Sequence, residues 1–205
     1  MKHEIEPLLH PVRIVELRPT QMTVGLREVG RKRAEWRIRA ERDGPDFLGR
    51  HMVPVIHGPK GRPYLIDHHH LARALHEEGV EHVLTTVVAD LSKLEKSLFW
   101  TFMDNRNWLH PFDADGKRHA HGQLPKSIEG LVDDPYRSLA GALRGAGGYA
   151  KDATSYSEFL WADFLRRRID RKTVEEAFQT ALVAALDLAH KPDASYLPGW
   201  CGPTD

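Results

Sequence analysis

Cysteine is almost missing from this chain of 205 residues, and Cys201 is its single thiol. One thiol excludes an internal disulfide and any zinc site built on paired cysteines, and it suits a reducing compartment. Net charge is missing as well. Lys plus Arg and Asp plus Glu both number 29. That balance removes a chain-wide pull toward nucleic acid or an anionic membrane, while leaving room for a local basic patch. No apolar run approaches the roughly 18 residues of a membrane span. The start, "MKHEIEPLLHPVRIVEL", lacks the apolar core and small-residue cleavage site of a secretory leader. The expectation is a soluble, cytoplasmic protein with no membrane partner.

Histidine, by contrast, is plentiful at 13 residues, and three of them stand in a row. The first half alternates short β-branched runs with helical patterns. Strands are expected near 12–17, 52–57, 64–67 and 83–88. Helices are expected over 26–40, capped by Thr20 or Thr23, over 69–79 with Gly79 as stop, and over 92–108, where Ser92 and Glu95 suggest a capping box. The stretch "LHPFDADGKRHAHGQLP" is rich in Gly, Pro, Asp and His and reads as loop. From 126 to 190 the pattern is helical throughout. The fold class is therefore α+β: an α/β unit over 1–110, a loop over 111–125 and a helical extension over 126–205 packed on it.

The stretch "YLIDHHHLARALHEEGV" puts His68, His69 and His70 at the mouth of a helix. Adjacent helical residues are about 100° apart, so the three cannot share one metal ion. With Asp67 as N-cap, the histidines fall in the first turn, where backbone N–H groups are unsatisfied and the macrodipole is positive. That is an anion site. His69 and His70 are the expected side-chain donors, gripping harder once protonated, and binding should then weaken as pH rises. The blander reading is a capped helix with a polar surface.

A strand, an Asp and a helix start of this form, followed by a glycine stop and a strand, resembles the central motif of the ParB/sulfiredoxin superfamily. The likeness runs without a gap from Asp67 to Val80. The segments "PTQMTVGLREV", "FLGRH", "IDHHHLA", "DDPYRSLAGALR" and "EFLWADF" are most similar to the ParB-like nuclease family of unknown biological role. The resemblance implies a small mixed sheet with helices, and phosphate or nucleotide binding at Asp67, His68, His69 and His70. Two departures stand out. The family glycine is His68 here, and the family arginine falls at Leu71. Arg27, Lys32, Arg50 and Arg73 are candidates to replace that arginine. The cysteine of sulfiredoxins falls near His69, which argues against sulfinic acid reduction, and the partition proteins' DNA-binding and dimer domains are not evident. By comparison with free-serine kinases of this fold, Glu28 is the candidate general base, with His69 beside it; the plain alternative is a surface acid paired with Lys32.

Three functions follow as expectations. The first is a nucleotide-dependent phosphotransferase or hydrolase that takes ATP, ADP or CTP, or another phosphorylated small molecule, with a divalent metal as candidate cofactor. The second is a DNA-binding protein or nuclease using the basic helix 27–42. The third is a metal-dependent phosphodiesterase in which His119 and His121, alternating on a strand, chelate one ion. "DNRNW" (Asp104–Trp108) closes a helix and is a source of further polar contacts to the pocket. Arg144 and the "GAGG" run are candidates to line the cleft. The oligomeric state is not legible.

Overall fold

The computed structural model describes residues 10–43 and 52–203. Five strands form one mixed sheet: β1 (His10–Arg13), β2 (Arg18–Pro19), β4 (Val53–Gly58), β5 (Arg62–Leu65) and β6 (His82–Asp90), in the order β1-β6-β4-β5-β2. β4 and β6 are parallel at the centre, and the β4–β5 hairpin is antiparallel. Its turn places Lys60 and Gly61 in the left-handed region, at φ 66° and 67°, as tight hairpins require. β3 (Thr23–Val24) pairs separately and in parallel with β7 (Val132–Asp133). The expected strand at 12–17 is shorter than its β-branched run suggests, because Ile14–Glu16 winds into a 3-10 turn that buries Ile14.

Helix α1 (Leu26–Asp43) and helix α2 (His69–Glu77) pack on each other and on this sheet. α2 buries Leu71, Ala72, Ala74 and Leu75 against Val53, Val55 and Leu65. It ends at Glu78 and Gly79, the latter at φ 76°. α1 buries little beyond Val29. Its hold on α2 is ionic instead: Arg33 and Arg37 both bind Glu78, and Arg33 also reaches Glu77. Hydrogen bonds from Arg37 and Arg33 hold the Glu78 carboxyl down at about 2. Helix α3 (Lys96–Asn105) starts later than the expected capping box. Its cap position is Glu95 without a side-chain bond, while the Ser92 amide donates to Asp90 in the preceding turn.

The second half is helical, with α4 (Pro135–Gly145), α5 (Ser157–Arg166), α6 (Arg171–Glu176) and α7 (Phe178–Ala189). Its core holds Leu139, Leu143, Trp161, Phe164 and Val174. The Trp161 indole stacks on Tyr149 at 4.4 Å and donates to the Pro198 carbonyl. Among the described residues no helix is long and apolar enough to cross a membrane.

The two halves meet at the start of α1. Neither Thr20 nor Thr23 caps it: the Thr20 hydroxyl donates to the Leu65 carbonyl, and the buried Thr23 hydroxyl has no partner. The acceptors come from more than 100 residues away. The Leu26 amide donates to Asp133 Oδ1 at 2.7 Å and the Arg27 amide to Ser138 Oγ at 3.3 Å. Gly25 permits this approach, since a Cβ there would lie 2.8 Å from the Ser138 amide nitrogen. A cap removed in this way costs about 1 kcal/mol. Asp133→Ala should therefore lower the stability measured by urea unfolding by about that amount, in one transition shared by sheet and helices. Two separate transitions in the parent chain would show that the halves fold independently.

Candidate functional site

The β5 strand ends at Leu65, and the chain must turn sharply to enter α2. It does so at His68, with φ 64° and ψ 25°. A left-handed residue that is not glycine costs on the order of 1–2 kcal/mol, so the glycine that the resemblance places here has a physical reason. Asp67 is not the N-cap expected from the sequence. The cap position is His68, and the Asp67 carboxylate instead accepts the His68 amide at 2.6 Å. No capping side chain covers the first turn of α2.

His69 and His70 differ from the expected protonated donors. Both are buried, at 2% and 7% exposure. His69 Nε2 accepts the Thr20 amide at 3.2 Å, and His70 Nε2 accepts the Gly25 amide at 2.9 Å. An imidazole that accepts at Nε2 carries its proton at Nδ1 and is neutral. Burial, with His68 nearby, drives the His69 pKa down to about 3 against an opposing bond to the Leu65 backbone. Burial and then Arg137 push His70 well below its ordinary value. The two rings pin the chain before β3 and before α1. Replacing both with Ala would therefore damage the fold as well as the site, and neither ring gives binding a pH dependence near neutrality.

Charge is supplied by the helical half. Arg137 of α4 is buried, its side chain 8% exposed, and its Nη1 meets Glu28 Oε2 of α1 at 3.1 Å. His70 Nε2 lies 3.6 Å from the same oxygen. Gly141 allows the pair to form, since a Cβ there would stand 3.1 Å from Glu28 Oε2 and 3.3 Å from Arg137 Nη1. The Arg137 guanidinium also lies 5.4 Å from the Phe159 ring centroid. Its Nε is buried without a hydrogen-bond partner, which is unusual for so strong a donor.

These groups line one cleft of about 660 Å³ between the halves. The α2 N-terminus (Asp67–Leu71) forms one wall. Glu28, Lys32, Glu35 and Arg39 of α1, one helical face, form another. Arg137 and Arg144 of α4 and the stretch Lys151–Phe159 close the third side. Arg144 pairs with Glu158. Tyr156, the cap residue of α5, is left-handed at φ 60° with no side-chain cap. Its buried hydroxyl makes no hydrogen bond of standard geometry. Burial pushes its pKa up, and the nearby Thr20 hydroxyl opposes the shift.

The cleft thus brings together Glu28, Asp67, His68, His69, His70 and Lys32, but not the other expected cations. Arg27 points elsewhere, over the Phe178 ring at 4.3 Å. Arg73 pairs with Glu77 and donates to the carbonyls of Glu129 and Leu131. Arg50 lies outside the described residues. Arg144 lines the cleft as expected, without the "GAGG" run, and Arg137 joins it; nothing in the local sequence says that Arg137 of "DDPYRSLAGALR" faces the α2 N-terminus. His119 and His121 do not sit alternately on a strand, because His121 opens a 3-10 turn. They engage different carboxylates, Asp113 at 2.6 Å and Asp104 at 3.5 Å. Among the described residues no group of three or more His, Cys, Asp or Glu is placed to hold a metal ion.

Comparison with known proteins bears on the same region. The family model described as "Putative ParB-like nuclease" matches residues 10–167, a span that contains every wall of the cleft. The crystal structure of protein Atu1540 from Agrobacterium tumefaciens is similar at 56% identity, with a TM-score of 0.89 over 97% of this chain and 100% of that one. No curated protein matches.

The buried histidines make acid the expected denaturant. His110, packed 3.9 Å from the Phe159 ring centroid, is also lowered to about 3, first by burial and then by Arg137. An unfolded imidazole takes up its proton near 6.5, whereas His69 and His110 in the fold wait until about 3. The unfolded chain therefore binds more protons between those values. The contribution is fully present above about 6.5 and is lost as pH falls, at about 1.4 kcal/mol per histidine per pH unit. Urea midpoints measured at pH 7, 6 and 5 should drop steeply. A flat profile across that window would mean that the rings are protonated in the folded protein.

Proposed function

Because the chain belongs to the ParB-like nuclease family, we propose that it binds a phosphate-bearing ligand, a nucleotide or phosphorylated small molecule, at the start of α2. In this reading it transfers or hydrolyses the phosphoryl group there. The observation that carries the reading is the conjunction of a helix start without a side-chain cap and a buried arginine whose Nε has no partner, both on one cleft. Free first-turn amides and a guanidinium are complementary to phosphate oxygens in geometry and sign. Arg137 turns from Glu28 to the phosphate. Glu28 is then free to take the proton from an attacking hydroxyl or water as its oxygen bonds to phosphorus and the bond to the leaving oxygen breaks. Lys32 on the α1 wall offsets the gathered negative charge.

The family description favours a second reading, nucleic acid as the substrate. The basic helix supports it less than its sequence suggests. Arg31 pairs with Glu35, and Arg33 and Arg37 are held by Glu77 and Glu78, so fewer cations of α1 are left for a phosphate backbone. The two readings separate by salt. Affinity for DNA that rests on many phosphate contacts falls steeply with ionic strength, whereas one or two phosphates held in a cleft respond weakly.

Calorimetry with ATP, ADP, CTP and pyrophosphate, each with and without magnesium, tests the proposal. Arg137→Ala should weaken binding at least tenfold, the effect of one lost charge-assisted bond of about 1.5–3 kcal/mol. Arg137→Lys, which keeps the charge beside Glu28 and so guards against misfolding, should recover part of it. Glu28→Gln should retain ligand while losing turnover by about a hundredfold or more. Unchanged affinity in both Arg137 variants would place the phosphate elsewhere.

A further inference from the structure

The cleft is far larger than a phosphate group requires, and its volume lies within the roughly 300–1,000 Å³ of small-molecule sites. Something besides phosphate is meant to fill it. At the end near β5 the wall changes character. Asn107 and Trp108 line the cleft there beside Ile66. Trp108 and Ile66 rest on the same buried cluster of Ile56, Phe99 and Met103. Ile66 precedes the left-handed His68 by two residues, a chain span of at most about 7 Å. The apolar end and the α2 amides are thus neighbours.

The geometry points to a nucleobase subsite formed by Trp108 and Asn107, next to the phosphate site; this rests on the phosphate reading above. α3 ends in a left-handed residue, Asn107 at φ 51°, with the Asn107 amide donating to Asp104 and the Trp108 amide to Met103. That turn carries the indole off the helix axis and into the cleft wall. The ring is half-buried and braced: the Arg106 guanidinium covers one face at 5.0 Å from its centroid, Phe102 lies 6.0 Å from it, and the base would take the opposite face. A fixed aromatic face takes up a flat base by stacking, whatever the base. Discrimination needs a group with both donors and acceptors, and an Asn side chain has both. Among the described residues no hydrogen bond engages the Asn107 side chain or the Trp108 indole N–H. The left-handed turn after α3 favours Asn at 107, and its exposed amide, next in sequence to Trp108, is open to the polar edge of a base.

The test compares inorganic phosphate, ribose 5-phosphate and the four mononucleotides AMP, CMP, GMP and UMP by calorimetry on the full chain. In the parent protein at least one mononucleotide should bind about tenfold or more tightly than ribose 5-phosphate, the scale of one base–aromatic stack. In Trp108→Leu the two affinities should converge. Trp108→Phe keeps a ring and should keep most of the difference, which separates stacking from damage to the fold. Asn107→Gly keeps the left-handed turn and should change the order of base preference. Ribose 5-phosphate equal to every mononucleotide in the parent chain, or a base advantage undiminished in Trp108→Leu, overturns the subsite while leaving the phosphate reading intact. No binding of any of these ligands overturns both.

Discussion

The buried ion pair between Glu28 and Arg137 is the constraint on which the rest of the arrangement depends. Its side chains are 14% and 8% exposed, so each charge has given up most of its hydration. Such a pair adds little net stability, but breaking it is expensive, because removing one partner strands the other, at about 3–5 kcal/mol. The pair therefore specifies geometry. Its side-chain ends press on Gly141, where a Cβ would stand 3.1 Å from Glu28 Oε2, and at the start of α1 Gly25 meets Ser138 of α4 closely. The wall of the cleft is in this sense the interface of the two halves. Neither half contains the site alone: the helix start belongs to one, and the arginine that faces it belongs to the other.

The same cleft collects local irregularities that the surrounding packing must hold in place. Two helices, α2 and α5, open on it through left-handed residues that are not glycine, His68 and Tyr156, and neither start has a side-chain cap. α3 and α7 also lack a side-chain cap but do not start at a left-handed residue, whereas α4 and α6 are capped by a side chain. Asp134 accepts the Tyr136 amide at the start of α4, and Asp170 accepts the Thr173 amide at α6. Strained backbone and unmet donors cluster where the remaining structure overdetermines them, which is where function tends to use them. The Arg137 Nε has no partner and the Tyr156 hydroxyl has only the nearby Thr20 hydroxyl, outside standard geometry, and both residues border this cleft.

Much of the fold was legible. The central strands, α2 with its glycine stop and the helical second half follow from periodicity and turn residues, and the resemblance correctly named the family. The site was legible only in part, for identifiable reasons. Spacing shows that three histidines precede a helix, but not that two are turned inward as acceptors, because which amide they meet is decided by the β5–β2 pairing. The cap lies one residue later than Asp67, since a His in the left-handed region has no sequence signature; the glycine that the superfamily resemblance implies there was the available clue. Arg137, Asp133 and Ser138 act across more than 100 residues, and no local pattern reports such contacts.

The role of the three histidines can now be separated. His68 takes up the turn, and its side chain stays in solvent. His69 and His70 use their lone pairs to hold the Thr20 and Gly25 amides, and so bind the start of α1 to the start of α2. That choice has an electrostatic consequence. A protonated histidine at these positions would need a carboxylate, and among the described residues the acid paired with His70 is Glu28, which is already paired with Arg137. Neutral imidazoles leave the Glu28 charge to the arginine and leave the first-turn amides uncovered. An arginine stays charged at every physiological pH, whereas a buried imidazole does not. Placing this cation on α4 therefore makes the charge it brings to the site independent of pH and dependent on how the two halves dock.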